Sequence, residues 1–231
     1  MFQKTFIMKG SVTAISGIGT GVGKTVVTGL LAQGLQKCDR KVVTQKIVQT
    51  GCTGISSDIL EHRRLMGSSL IDVDYEGVTC PYSFGYPASP HLAARLEGAA
   101  VEVMTLRRAT FTLQKQFDHV LLEGVGGLLV PLAPDLLFAD YIRDAGYPLI
   151  LVTATGLGSI NHTLLSLEAC IARRITLKAV ICNRFGEIDT LIGDDTVEMT
   201  RHYLKKYGLR APLFTLVGDT LDCGCIESLF L

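Results

Sequence analysis

Several features that would narrow the functional class are missing from this sequence. The 22 lysine and arginine residues are balanced by 22 aspartate and glutamate residues. The chain has no excess of basic residues that would indicate nucleic-acid binding. It also has no run of like charge that would indicate an interaction tail. No apolar run approaches the roughly 20 residues of a membrane span, and the stretch MFQKTFIMKGS lacks the apolar core of a signal peptide. We therefore expect a cytoplasmic protein that binds neither nucleic acid nor a membrane.

Paired cysteine motifs are also missing. The chain has seven cysteines, an odd number, and none of them forms a C-x-x-C pair. Reduced and mostly buried thiols, as in a cytosolic protein, are the expected state. The pair Cys223 and Cys225 could bind a metal, but no further ligands of suitable spacing lie nearby. The cysteines therefore do not define a metal or disulfide framework.

Short apolar runs alternate with helical patterns along the chain. Its 231 residues, 48% of them hydrophobic, suit one α/β domain that spans residues 1–231. The apolar runs are typical of strands buried within a parallel sheet. The predicted strands are SVTAIS, KVVTQKIV, HVLLEG, PLILVTAT, LKAVICN and APLFTLV, and the predicted helices cover 24–37, 57–66, 101–117, 138–145, 160–174 and 194–207. This order predicts an α/β fold with a doubly wound, mostly parallel sheet and helices on both faces.

The fold predicts where a ligand binds. In doubly wound sheets, ligands bind beyond the carboxyl ends of the strands. The segments that follow the predicted strands are the glycine loop after residue 16, residues 46–50, 123–127, 156–161 and 183–184. Residues 68–90 carry many turn-forming residues and are a candidate substrate loop. These segments are where we expect the functional side chains.

The stretch SGIGTGVGKT has the properties of a phosphate-binding loop. It follows a predicted strand and opens a predicted helix, but five residues separate Gly17 from Gly23, where the common pattern G-x-x-x-x-G-K-[ST] has four. Backbone N–H groups at a helix start can line an anion site. Lys24 would reach the β- and γ-phosphates, and the Thr25 hydroxyl would bind magnesium. A glycine-rich turn without a ligand is the alternative.

Two acidic residues are candidate magnesium ligands. Glu123 closes the strand HVLLEG, where a metal-binding acid is expected, and Asp58 begins a helix after a glycine-containing loop. Asp58 could equally be an acidic residue that favours the helix N-terminus, and Glu123 alone could be a surface acid. The stretch EGVGG leaves the backbone open to a phosphate or substrate.

Lys46 lies at the end of the second predicted strand and places a second ammonium near the phosphates. Phosphoryl transfer to an anionic acceptor needs such a charge, because donor and acceptor repel each other. A surface lysine is the alternative. Thr50 follows Lys46 closely and could contact the acceptor.

Two further segments offer polar contacts. Gly158, Ser159 and Ile160 would expose N–H groups at a helix start, although Ser159 or Asn161 could simply cap that helix. Asn183 follows a strand, where its amide could read an adenine edge. Guanine-specific proteins carry Asn-Lys-x-Asp there, whereas this chain has Asn-Arg-Phe-Gly, which favours ATP. His162 and His91 are both interpreted as structural residues.

Five motifs in order resemble the dethiobiotin synthetase family. GIGTGVGKT is similar to that family's loop G-T-x-T-x-V-G-K-T, which has the same five-residue spacing. KIVQTG is similar to K-P-V-x-[ST]-G, SPHLAA is shared, EGVGGLLVPL is similar to E-G-A-G-G-x-x-x-P-L, and GLGSINHTLL is similar to G-x-[CS]-I-N-H-x-L-L. The matches cover about 11–183. Departures are Ile18 for threonine, Ile47 for proline, and Gly218 where the family has a proline beside the adenine.

The resemblance implies a P-loop NTPase-like fold, a homodimer and an ATP- and Mg²⁺-dependent carboxylation and ring closure of 7,8-diaminopelargonic acid with CO₂. Lys24 and Lys46 would be catalytic. Magnesium would bind Thr25, Asp58 and Glu123. The nucleotide would contact Thr20, Gly21, Val22, Gly23, Lys24, Thr25, Val26, Asp58, Glu123, Gly124, Val125, Gly126, Asn183 and Arg184. The diamine substrate would contact Thr20, Thr50, Gly158, Ser159 and Asn161, of which the last three would come from the neighbouring subunit.

Two other classes stay open at this point. A P-loop ATPase that acts as a switch would carry a signature lysine early in the loop, where this chain has Gly17, Ile18 or Gly19. A catalytically silent nucleotide-binding module would not need the intact set of Lys24, Thr25, Lys46 and Glu123. Phosphate release that depends on both the diamine and bicarbonate distinguishes the three.

Overall fold

The computed structural model describes residues 10–187, 189–218 and 223–230. Its strands are β1 (Ser11–Gly17), β2 (Val42–Lys46), β3 (Gln49–Thr50), β4 (Ser83–Phe84), β5 (His119–Gly127), β6 (Pro131–Ala133), β7 (Leu136–Leu137), β8 (Leu149–Ala154), β9 (Leu177–Asn183) and β10 (Leu213–Leu216). Its helices are α1 (Lys24–Lys37), α2 (Ser57–Met66), α3 (Asp72–Tyr75), α4 (Pro90–Leu96), α5 (Val103–Gln114), α6 (Phe138–Ala145), α7 (Ser159–Arg173), α8 (Thr190–Lys206) and α9 (Cys223–Phe230).

Six strands form a parallel central sheet in the order β10-β9-β8-β1-β5-β2. Strand β1 lies between β5 and β8, so the chain winds outward in both directions from the centre of the sheet. Successive side chains of a strand point to opposite faces. On β5, Val120 and Leu122 accordingly belong to one hydrophobic core and Leu121 to another. The predicted doubly wound sheet with helices on both faces is confirmed.

Several predicted boundaries differ from the observed ones. The run KVVTQKIV ends as a strand at Lys46, and the short strand β3 pairs instead with β4. Helix α5 is shorter at both ends than predicted, and α8 begins earlier, because Asp189 caps it by accepting from the N–H groups of Leu191 and Ile192. The β6–β7 hairpin and helix α9 were not predicted.

The segment 68–90 is more ordered than the sequence indicates. It contains α3 and β4, and the buried Asp74 carboxylate accepts from the Arg63 guanidinium at 2.8 Å and from the Thr79 hydroxyl at 2.7 Å.

No helix in the described parts of the chain is both long and apolar enough to cross a membrane. The backbone of Cys223 and Cys225 belongs to α9, but their side chains, which the sequence analysis considered as metal ligands, are not among those that the structure describes.

Candidate active site

The glycine loop connects β1 to α1 at the carboxyl edge of the sheet. Gly23 has φ of 91°, a left-handed conformation that favours glycine. A β-carbon at this position would also collide with the Asn183 side-chain amide. The Lys24 ammonium donates to the Gly19 carbonyl at 2.8 Å, so the lysine side chain turns back across the loop. The loop therefore places a buried ammonium and the first N–H groups of α1 at the same edge of the sheet.

Strands β2 and β5 bring Lys46 and Glu123 together. The two residues are direct partners in the parallel register. The Lys46 ammonium lies 2.8 Å from Glu123 Oε1 and 2.5 Å from Asp58 Oδ2, and it donates to the Gly124 carbonyl at 2.9 Å. Lys46 and Glu123 are buried, whereas Asp58 is partly exposed. A lysine that sequence alone left as a possible surface residue thus lies within the carboxylate cluster.

Burial and charge oppose each other in setting the pKa values of this cluster. Burial acts to raise the pKa of Glu123, but the Lys46 charge and the His62 hydrogen bond hold the pKa well below its usual range. Burial acts to lower the pKa of Lys46, but Glu123 and Asp58 raise it. Burial and the neighbouring Lys46 charge lower the pKa of Lys24 to about 8. Glu123 is therefore an anion and Lys46 a cation at neutral pH.

Thr25, Asp58 and Glu123 have the chemistry of a magnesium site. The Thr25 hydroxyl donates to Glu123 Oε1 at 3.1 Å, and Asp58 meets the same cluster through Lys46. The described residues contain no group of three or more His, Cys, Asp or Glu that could hold a metal. Magnesium usually binds through one or two carboxylates together with water and substrate phosphates. One hydroxyl and two carboxylates beside a phosphate loop therefore fit Mg²⁺.

A cleft of about 800 Å³ opens over these residues. Most of the predicted site residues line it: Thr20, Gly21, Gly23, Lys24, Thr25, Val26, Lys46, Thr50, Asp58, Glu123, Val125, Gly126 and Asn183. They come from segments that follow different strands, as the carboxyl-edge rule requires. The cleft is large enough for a nucleotide and a small co-substrate together.

Other predicted site residues are not among the residues that line the cleft. The Val22 carbonyl accepts from the Asn183 amide, and the Gly124 carbonyl accepts from Lys46. Arg184 pairs with Glu187 and Asp194, both at 2.7 Å. Gly158, Ser159 and Asn161 lie at the start of α7. The nucleotide and substrate roles of these six residues stay predictions.

The end of the cleft beside Asn183 is partly apolar. The Asn183 amide nitrogen donates to the Val22 carbonyl at 3.0 Å, and its oxygen accepts from the Phe185 N–H at 3.1 Å. One amide hydrogen and one lone pair of Asn183 are therefore already used within the protein. Phe185, which is 82% exposed, and Gly218 line the cleft beside it. An aromatic ring is thus available at the position where the sequence predicts the base.

Sequence reasoning missed two polar residues of the site. His62 is buried, and its Nε2 lies 2.7 Å from Glu123 Oε2. It follows Asp58 by four residues on α2, a spacing that places both on one helix face and could have identified it. Gln49 lines the cleft and accepts from the Ser56 hydroxyl at 2.6 Å, which joins β3 to the start of α2. His91 and His162 are not among the residues that line the cleft.

Comparison with known proteins first defines the class. Residues 12–214 match the family described as "AAA domain". A putative plasmid partition protein from Borrelia burgdorferi bound to AMPPNP aligns with a TM-score of 0.54 at 15% identity over 96% of each chain. The signal recognition particle receptor FtsY from Elizabethkingia anophelis in complex with GDP gives 0.53 at 16% identity, over 96% of this chain and 64% of that one. The fold is therefore that of the P-loop NTPases.

Curated relatives then give the family. The chain is 60% identical to the ATP-dependent dethiobiotin synthetase BioD of Chlorobaculum tepidum, over 94% of this chain and 91% of the relative. It is 47% identical to BioD 2 of Pasteurella multocida, over 84% and 91% of the two chains. For BioD 2 of Haemophilus influenzae the identity is 50%, over 79% and 96%. This chain belongs to the ATP-dependent dethiobiotin synthetase family.

Proposed function

We propose that this protein carries out the ATP-dependent carboxylation and ring closure of 7,8-diaminopelargonic acid to dethiobiotin, with ADP and phosphate as the other products. The observation that carries the proposal is the cleft at the sheet edge. It combines an intact phosphate loop with a second buried ammonium, Lys46, between two carboxylates. The 60% identity to a dethiobiotin synthetase over most of both chains supports the same reaction.

The reaction begins with an uncharged substrate amine. Its nitrogen attacks the carbon of CO₂ and loses a proton, which gives a carbamate. The two cations Lys24 and Lys46 favour this step because nearby positive charge lowers the pKa of a substrate amine. A carbamate oxygen then attacks the γ-phosphorus, and the bond from that phosphorus to ADP breaks. The second amine finally attacks the carbonyl carbon of the mixed anhydride, and phosphate leaves as the ureido ring closes.

Lys46 and Lys24 offset the charge of two anions that must meet. The carbamate and the γ-phosphate repel each other, and fixed ammonium groups stabilise charge most strongly in a site shielded from water. Lys46 is suited to this role because Glu123 and Asp58 keep it protonated despite its burial. The N–H groups at the start of α1 add further partial positive charge.

Magnesium is the metal that we propose for this site, held by Thr25, Asp58 and Glu123. When bound, it would neutralise phosphate charge and orient the phosphate oxygens. Lys46, within reach of both carboxylates, limits the negative charge of the site before the nucleotide binds. The buried Glu123 is held in place by contacts from three different elements, β2, α1 and α2.

The remaining predicted contacts are proposals as well. Residues 20–26, with Gly124, Val125 and Gly126, would surround the phosphates, and Asn183 with Arg184 would lie at the adenine end. Thr20 and Thr50 would contact the diamine. A cytoplasmic location is also part of the proposal.

A homodimer with a shared substrate site is part of the proposal. Asn161 is exposed at the start of α7 and is not among the residues that line the cleft of its own chain. Gly158, Ser159 and Asn161 would contact the substrate carboxylate in the cleft of a second subunit. The nearby exposed side chains of Leu129, Leu157 and Leu165 support an interface on this part of the surface.

Phosphate release tests the proposed function directly. The purified protein is incubated with MgATP and with the diamine, bicarbonate, both or neither. We expect phosphate and dethiobiotin in equal amounts only when both co-substrates are present. A nucleotide switch would hydrolyse ATP without them, and a silent module would bind ATP and release nothing. Either result would contradict the proposal.

A further inference from the structure

Histidine 62 makes a specific contact with the central carboxylate of the site. It lies on α2 and is completely buried, as is the Glu123 carboxylate. Its Nε2 lies 2.7 Å from Glu123 Oε2. An ionised carboxylate can only accept hydrogen bonds, so Nε2–H donates. Glu123 Oε1 accepts instead from Thr25 at 3.1 Å and Lys46 at 2.8 Å. The two oxygens of one carboxylate therefore have separate sets of partners.

The other ring nitrogen of His62 has no hydrogen-bond partner among the described residues. Burying a polar atom without a partner destabilises a protein, and an apolar side chain of similar size would avoid that penalty. If the side chain at this position only filled the core, leucine would therefore give a more stable protein than histidine. The contact between Nε2 and Glu123 is the feature of His62 that leucine could not supply.

The same helix also delivers a second acidic residue to the cluster. Asp58 precedes His62 by four residues on α2, so both side chains project from one face. Asp58 contacts Lys46, and His62 contacts Glu123. Helix α2 thus contacts both members of the buried Lys46–Glu123 ion pair through two neighbouring side chains.

We propose that His62 is a positioning residue that orients the Glu123 carboxylate. Its hydrogen bond to Oε2 directs Oε1 toward Thr25 and Lys46, the side on which the Mg²⁺–nucleotide complex would bind. The inference rests on the proposed function, because it assigns Glu123 to the magnesium site. Groups that orient metal-binding side chains in this way typically change metal affinity or activity 10- to 100-fold when they are removed.

The test measures binding rather than turnover. AMPPNP is titrated into the protein by calorimetry, in EDTA and at a series of Mg²⁺ concentrations. In His62→Leu, we expect the Mg²⁺ concentration for half-maximal enhancement of AMPPNP binding to rise on the order of 10- to 100-fold. AMPPNP binding in EDTA should stay close to wild type, because the phosphate loop is unchanged.

Two amide variants separate hydrogen bonding from packing. The amide nitrogen of glutamine can reach the position of Nε2, whereas that of asparagine is one methylene short. His62→Gln should stay within about threefold of wild type, and His62→Asn should resemble His62→Leu. Comparison of His62→Gln with His62→Asn shows whether the hydrogen bond or the packing of the side chain matters, even if His62→Leu does not fold. Ile59→Val, a buried change on the same helix, is the control for altered packing and should leave the Mg²⁺ requirement unchanged.

Two results would overturn the positioning role. One is a wild-type Mg²⁺ requirement in a folded His62→Leu or His62→Asn protein. The other is an equal defect in His62→Gln and His62→Asn, which would show that volume matters and the donor does not. Phosphate release by the wild-type protein is measured in parallel. If phosphate release did not depend on diamine and bicarbonate, the proposed function would be rejected. If it did depend on them, but the His62 variants had a wild-type Mg²⁺ requirement, only this inference would be rejected.

Discussion

Lys46 shows how burial changes the meaning of a single residue. Its ammonium is surrounded by Asp58, Glu123 and the Gly124 carbonyl, and its side chain is almost inaccessible to solvent. A buried ion pair of this kind is a poor device for stability, because desolvation can cost as much as the charges gain. Its position beside the phosphate loop makes better sense as a source of charge for the reaction.

Replacing Lys46 should therefore reduce turnover strongly and leave nucleotide binding largely intact. Lys46→Met keeps most of the apolar stem and removes the charge. We expect turnover to fall on the order of 100- to 1000-fold, the effect of one well-placed charge in a shielded site. Steady-state kinetics with both co-substrates measures turnover, and calorimetry measures AMPPNP binding. The exposed Lys37→Met is the matched control, and near-normal turnover in Lys46→Met would remove Lys46 from the catalytic residues.

Residues with a local motif could be predicted, and residues defined by distant contacts could not. Lys24 and Thr25 follow from the glycine loop, and Lys46 from its place at the end of a strand. His62 belongs to no motif, and its partner, Glu123, is 61 positions away in the chain, so only its spacing of four residues from Asp58 could have pointed to it. The environment of Arg184 was missed for a related reason. Its ion pairs with Glu187 and Asp194 depend on the path of the chain between β9 and α8.

At the scale of elements, the helices with clear end signals were predicted best. Helix α2 has the predicted bounds because Ser56 caps its start and Gly67, with φ of 66°, ends it. Strands β3 and β4 have only two residues each, too few for any periodic pattern to appear. Helix α3 has four residues and is held by the contacts of Asp74 rather than by its own sequence pattern.

The buried ion pair between Arg63 and Asp74 connects α2 to α3. Arg63 donates to both Asp74 oxygens at 2.8 Å and to the Thr44 hydroxyl of β2 at 2.9 Å. The Thr79 carbonyl, just beyond α3, accepts from the Lys46 N–H at 2.8 Å. These contacts link the segment 68–90 to the strand that carries Lys46.

Asp74→Ala should destabilise the protein strongly, because it leaves the Arg63 charge buried and unpaired. We expect the free energy of unfolding to fall by about 3–5 kcal/mol, measured by urea denaturation at pH 7. Glu61→Ala, which removes the exposed ion pair with Arg64 on the same helix, should cost less than about 1 kcal/mol. Equal losses in the two variants would contradict the role given to the buried pair.

The same pair predicts the direction of an acid effect. Burial acts to raise the pKa of Asp74, but hydrogen bonds from Arg63, Ile71 and Thr79 lower it overall. The stability from the ionised carboxylate is thus present above the unfolded pKa of about 3.9 and is lost as pH falls through the lower folded pKa. Below pH 4, the difference between wild type and Asp74→Ala in the free energy of unfolding should therefore shrink. A difference that grew on acidification would contradict this sign.

At the scale of the whole molecule, strand order explains why the cleft forms where it does. Strand β1 is flanked by β5 and β8, so the connections on its two sides leave in opposite directions. Such a point opens a crevice at the carboxyl edge of a parallel sheet. The alternating strand and helix patterns predicted that edge. These patterns could not show which of the segments at that edge meet in one cleft. The start of α7 lies at the same edge, but its residues are not among those that line the cleft.

A shared site between subunits predicts complementation between two inactive variants. Lys46→Ala and Asn161→Ala should each be nearly inactive as homodimers. In a mixed dimer, one site takes Lys46 from the Asn161→Ala chain and Asn161 from the Lys46→Ala chain, so this site is wholly wild type and the other carries both changes. Twofold pairing at random makes about half of all dimers mixed, so roughly a quarter of wild-type activity should return.

The measurement is diamine-dependent phosphate release after the two variants are unfolded together and refolded. Each variant refolded alone provides the baseline, and differently tagged chains show by co-purification that mixed dimers have formed. If each site drew Lys46 and Asn161 from the same chain, every site in a mixed dimer would carry one change and no activity would return. Mixed dimers without recovered activity would therefore reject the shared site, while leaving the reaction proposed for the cleft itself untouched.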